Sequence, residues 1–112
     1  MELRKDPITR SWVVAGHPER EKVRPDPCPL CPDNRIEIHS LLDLPSGGPW
    51  QVRVYPHFRP LYRIEGDPAR TAEGIYDRMA AIGAHEIVVE TPEHTRTLER
   101  MNDEEIERVL DA

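Results

Sequence analysis

Apolar and polar positions alternate in short runs along this chain, and proline or glycine interrupts almost every run. Ile87-Val88-Val89 is a β-branched run too short for a helix and bounded by Gly83 and Pro92, so it reads as a buried strand. Trp50-Gln-Val-Arg-Val-Tyr55 alternates like a half-buried strand and meets Pro56 at its end. Ser11-Trp-Val-Val-Ala15 predicts a short strand closed by Gly16, and Ile36-Glu-Ile-His39 predicts another. Between them, Asp6-Pro-Ile-Thr9, Leu44-Pro-Ser-Gly-Gly-Pro49 and His57-Phe-Arg-Pro60 carry turn and loop chemistry. The weakly patterned segment from Glu65 to Met79 reads as loop with at most a helical turn. One helix is predicted near the last residue: Asn102 as its cap, Glu105 three residues on, and Ile106, Val109 and Leu110 on one face. With Ala112 as the last residue, that helix is barely two turns long and marginal alone. The predicted elements are thus several short strands and one short helix.

Composition narrows the class. At 112 residues the chain is at most one domain and could be part of one. With 38% hydrophobic residues, 12 prolines and 32% charged residues, its core is small enough that a staple such as a structural metal would help hold it. A formal charge of −6 speaks against nucleic acid and anionic membrane as partners, although it leaves room for a local basic pocket. No apolar run approaches the ~20 residues that span a bilayer. Met1-Glu-Leu-Arg-Lys-Asp6 leads straight into polar sequence without the pattern of a signal peptide. The expectation is a cytoplasmic protein, in which two cysteines are metal ligands or free thiols rather than a disulfide.

Those cysteines lie in Pro27-Cys-Pro-Leu-Cys-Pro32. Thioredoxin-like motifs set their cysteines at a helix start after a strand, whereas Cys31 runs into Pro-Asp-Asn, a turn. A tight knuckle of two thiolates suits tetrahedral zinc but fills half a coordination shell; inert cysteines are the bland alternative. His94 follows the Pro92 stop, where its side chain can be aimed at a site, so strand, thiols and His94 are expected to form one zinc knot. Upstream, the proline-bracketed loop His17 to Pro25 carries Arg20, Lys22 and Arg24. It is either a solvated charged loop or an anion grip, since arginine forks pair well with phosphate oxygens.

Taken in order, these stretches resemble a known family. Asp77-Arg-Met-Ala-Ala-Ile-Gly-Ala-His-Glu-Ile-Val-Val-Glu-Thr-Pro-Glu-His94 is similar to the galactose-1-phosphate uridylyltransferases, a branch of the histidine-triad-like superfamily. Leu3-Arg-Lys-Asp-Pro-Ile-Thr9, the Pro-Glu-Arg loop, the Cys-Pro-x-Cys-Pro knuckle and Gly48-Pro-Trp-Gln-Val-Arg-Val-Tyr-Pro56 occur in the family's order. The match covers nearly the whole chain, but only the family's N-terminal part. What the resemblance implies is an α+β fold, the antiparallel sheet of a histidine-triad-like half-domain, incomplete at the C-terminus, with residues 1–112 as one part of the N-terminal domain.

The resemblance also implies roles for residues. Cys28, Cys31 and His94 stand where the family has zinc ligands. The fourth ligand comes from a His-Pro-His-x-Gln motif that this chain does not contain. Arg20 and Arg24 match arginines that contact nucleotide phosphates, sometimes across a homodimer interface, although Val23 is an extra residue between Lys22 and Arg24. His57 stands where a nucleotide-contacting Asn is usual, and Arg59 replaces an aromatic.

The chemistry implied is ping-pong nucleotidyl transfer in galactose metabolism. A histidine attacks the α-phosphorus of UDP-glucose, releasing glucose 1-phosphate, holds the uridylyl group, and passes it to galactose 1-phosphate, a hexose 1-phosphate. That nucleophile belongs to the absent motif, so no catalytic residue is assigned in this chain, and the chain alone is expected to be inactive. His17 and His39 are expected to be solvated, and His85 to be a packed or hydrogen-bonded structural histidine. Two alternatives stay open: a non-catalytic zinc-binding or interaction module, and an ADP-glucose-type relative, to which His57 and Arg59 point.

Overall fold

The computed structural model describes residues 1–16, 26–34 and 37–112. It has seven short strands: β1 (Glu2–Lys5), β2 (Trp12–Ala15), β3 (Leu42–Leu44), β4 (Val52–Pro56), β5 (Thr71–Glu73), β6 (Tyr76–Ala80) and β7 (Glu86–Val89). A 3₁₀ turn, Leu98–Arg100, and one helix, α1 (Asp103–Leu110), follow. The described residues are therefore mostly antiparallel sheet with one short helix, and they fall into two compact units.

The first unit combines residues 1–16 with 59–85. Its sheet runs β2-β1-β6-β5, antiparallel throughout. The predicted strand at Ser11–Ala15 is present as β2, and the turn before it is held by the Asp6 carboxylate, which accepts the Ile8 N–H at 2.8 Å. β1 was not expected, because Glu-Leu-Arg-Lys alternates over too few residues to stand out. Residues 65–79 are also not the expected loop: β5 and β6 form a hairpin in which Glu73 pairs with Tyr76 across Gly74-Ile75. Gly74 has φ +64°, the glycine-first pattern of a two-residue hairpin turn. All of β5 is exposed, so no apolar alternation marked it in advance.

The second unit combines residues 26–34, 37–58 and 86–112. Its sheet runs β3-β4-β7, again antiparallel. Val52 and Val54 of the central strand are 1% and 4% exposed, and with Trp50, Tyr55 and Met101 they form this unit's core. Burying a side chain such as Val52 contributes about 1.5–3 kcal/mol. Ile87-Val88-Val89 does form a strand, but it is not the buried one. β7 lies at the sheet edge with one neighbour, and its residues alternate between exposed and half-buried, Val88 being 43% exposed. The strand expected at Ile36–His39 is not seen over the described residues 37–39; the pairing partner of β4 is β3 instead.

β3 and β4 are locked by a bidentate ion pair between directly opposed residues. Arg53 Nε and Nη2 donate to Asp43 Oδ1 and Oδ2 at 2.6 and 2.7 Å, with the guanidinium 4.9 Å from the Trp50 ring centroid. Helix α1 begins as expected. The Glu105 N–H donates to Asn102 Oδ1 at 3.0 Å, and Glu105 Oε2 accepts the Asn102 N–H at 2.8 Å. No helix among the described residues is long and apolar enough to cross a membrane.

Candidate metal centre

The knuckle is two consecutive turns. Cys31 N–H donates to the Cys28 carbonyl at 3.3 Å, and Asn34 N–H to the Cys31 carbonyl at 3.0 Å. Pro29 and Pro32 occupy the second position of each turn, where a fixed φ of about −65° is already correct. The Asn34 side chain folds back and donates to the Cys28 carbonyl at 2.5 Å. Both thiols are thereby held on one short segment and are half-buried, with neither in a disulfide.

His94 comes from the segment after β7. Thr91 Oγ1 accepts the Glu93 N–H at 3.2 Å, and the Arg96 N–H donates to the Glu93 carbonyl at 3.2 Å, which turns the chain with His94 at the bend. The result brings His94 to the knuckle: Cys31 Sγ lies 3.2 Å from His94 Nδ1. One ligand atom each from Cys28, Cys31 and His94 lies within 4.8 Å of the others. Tetrahedral zinc with Zn–S near 2.3 Å and Zn–N near 2.0 Å sets its donors roughly 3.5–3.8 Å apart, so two sulfurs and one imidazole at this spacing fit the ion.

Burial first, then the neighbouring Cys28 thiol and the Asp33 carboxylate, push the Cys31 thiol up from its ordinary value. Adjacent thiols that resist ionising together are ones a divalent cation would deprotonate on binding. The cluster opens onto a cavity of about 640 Å³ that Asp26, Leu30 and Phe58 also line.

Among the described residues, His57 is not part of this cluster. His57 follows β4, half-buried, with its ring stacked on Phe58 at 5.1 Å between centroids. Arg20 and Arg24 lie outside the described residues. His85 is structural, as expected: its Nδ1 accepts the Leu61 N–H at 3.1 Å. Three residues around the cluster were not singled out beforehand: Asn34, Phe58 and Arg96. Asn34 carried a signal, since an asparagine closing a Cys-Pro-Asp-Asn turn commonly bonds nearby backbone.

No protein-family model matches the chain. An ADP-glucose phosphorylase of Arabidopsis thaliana is 27% identical over 111 residues, covering 84% of this chain and 32% of the relative. A solved uridylyltransferase structure is 29% identical with a TM-score of 0.61, covering 99% of this chain and 32% of the other. The structure of a uridylyltransferase mutant is 31% identical with a TM-score of 0.65, covering 99% and 31%. The chain thus spans about a third of the length of the relatives it matches. The resemblance to the galactose-1-phosphate uridylyltransferase family is borne out: along nearly all of its length, this chain is similar to about one third of a uridylyltransferase.

Proposed function

We propose that the chain is the N-terminal part of a nucleotidyltransferase that moves a nucleotidyl group between a nucleotide-sugar and a hexose 1-phosphate. Its own contribution is a zinc-held scaffold. Cys28, Cys31 and His94 supply three donors, and the fourth, with the nucleophilic histidine, comes from a His-Pro-His-x-Gln segment outside this sequence. The observation that carries this reading is the convergence of the knuckle and His94, on a chain similar to uridylyltransferases over 99% of its length. The zinc acts structurally, fixing the knuckle beside the cavity that Phe58 and Leu30 line. Arg20 and Arg24 serve as the phosphate grip and His57 as a nucleotide contact, with arginine forks stabilising phosphoryl charge. The histidine-triad-like half-domain is the framework this implies. A cytoplasmic setting, which keeps thiols reduced, suits it, and a homodimer is compatible with it.

For substrates, UDP-glucose and galactose 1-phosphate are the first choice. ADP-glucose is the second, favoured by the similarity to an ADP-glucose phosphorylase and by His57 and Arg59 replacing the usual residues. The test is a turnover assay of the chain by itself and of the chain continued through a His-Pro-His-x-Gln segment, each with UDP-glucose or ADP-glucose. The continued protein is expected to turn over one of them, and the chain alone neither. Turnover by the chain alone would overturn the assignment of the nucleophile.

A further inference from the structure

Arg96 is tied at three points around the loop that carries His94. Its Nη2 donates to Glu105 Oε2 at 2.7 Å, its Nη1 lies 3.8 Å from Glu93 Oε2, and its backbone N–H closes the Glu93 turn. Glu105 is not a loose partner. The same Oε2 accepts the Asn102 N–H at 2.8 Å, while the Glu105 N–H donates to Asn102 Oδ1. One carboxylate oxygen therefore joins the start of α1 to a guanidinium two residues from His94. The Arg96 and Glu105 side chains retain only 32% and 27% of their exposure, so water competes incompletely for the pair. Arg96 Nε, by contrast, is buried and has no hydrogen-bond partner among the described residues. Leaving such a donor unmet carries a desolvation cost. The side chain keeps this position in spite of that cost, in a cavity of about 250 Å³ that it lines together with Cys28, Cys31 and His94.

We propose that Arg96 is a positioning residue for the metal centre. By clamping the 91–97 loop to the capped helix through Glu105, it fixes where the His94 imidazole sits relative to the Cys31 sulfur. This inference rests on the metal reading of that centre. Its effect would resemble that of outer-shell partners of metal ligands, whose loss commonly lowers metal affinity about 10–100-fold.

The test is cobalt(II) titration of the full chain in competition with a chelator, following thiolate-to-cobalt absorption, with circular dichroism as the fold control. Arg96→Ala and Glu105→Gln are both expected to weaken cobalt binding about 10–100-fold while the thiolate band persists, with Arg96→Lys intermediate. Glu105→Gln keeps an oxygen to cap the Asn102 N–H but removes the ion pair, so it remains informative if Arg96→Ala fails to fold. In a His94→Ala background the same substitutions are expected to change affinity less than about twofold, since the clamp acts through His94. Wild-type binding with unchanged affinity in Glu105→Gln, or an equal loss in both backgrounds, would overturn the clamp and leave the metal reading standing. No cobalt binding by the wild type would overturn both.

Discussion

His94 and His85 show how backbone context sets two similar residues in different surroundings. His94 follows a proline stop and faces a thiol at 3.2 Å, whereas His85 accepts a backbone N–H from Leu61 at 3.1 Å. His85→Ala is therefore expected to leave bound metal unchanged and to lower stability by about 1–3 kcal/mol, because the Leu61 N–H loses its acceptor. His94→Ala is expected to do the reverse at the metal, and urea unfolding beside metal analysis separates the two. Both placements, His94 beside a thiol and His85 on a backbone N–H, were legible in the sequence, because Pro92 and Gly83 mark the ends of the strand between them. Arg96 was not legible. Its partner Glu105 is nine residues away and already accounted for as half of a capping box, so nothing in the sequence suggested a second bond from the same oxygen.

Among the elements, those with a strong local signal formed where expected: β2, β4 and α1. The failures share a cause. β1, β3 and β5 are three or four residues long, too short a window for periodicity to register, and β5 is exposed throughout. β7 was assigned to the interior because apolar runs suit buried strands, but its place at the edge leaves Val88 facing outward. The β3–β4 pair carries a pH dependence. The Arg53 hydrogen bonds hold the Asp43 carboxyl below its usual range. A depressed carboxylate contributes stability that is complete above its unfolded value of about 3.9 and is lost as pH falls through the lower folded value. Asp43→Asn should thus cost about 1 kcal/mol near neutral pH, with the difference from wild type closing in acid. Asn102→Ala, which removes the helix cap, should cost about 1 kcal/mol as well, read as a lowered thermal midpoint.

For the molecule as a whole, two small antiparallel units with few fully buried side chains leave a modest hydrophobic contribution, and an ion bound to the folded form alone would add to it. The candidate metal centre is also where the family resemblance meets the geometry: a proline-set knuckle and a histidine past a strand end, 63 residues apart in sequence, converge. The most direct measurement is the metal content of the purified wild-type protein beside a Cys28→Ser variant. Zinc in the wild type, with a marked loss in the variant while the fold persists, is the predicted result. Equal metal content in the two proteins would contradict it.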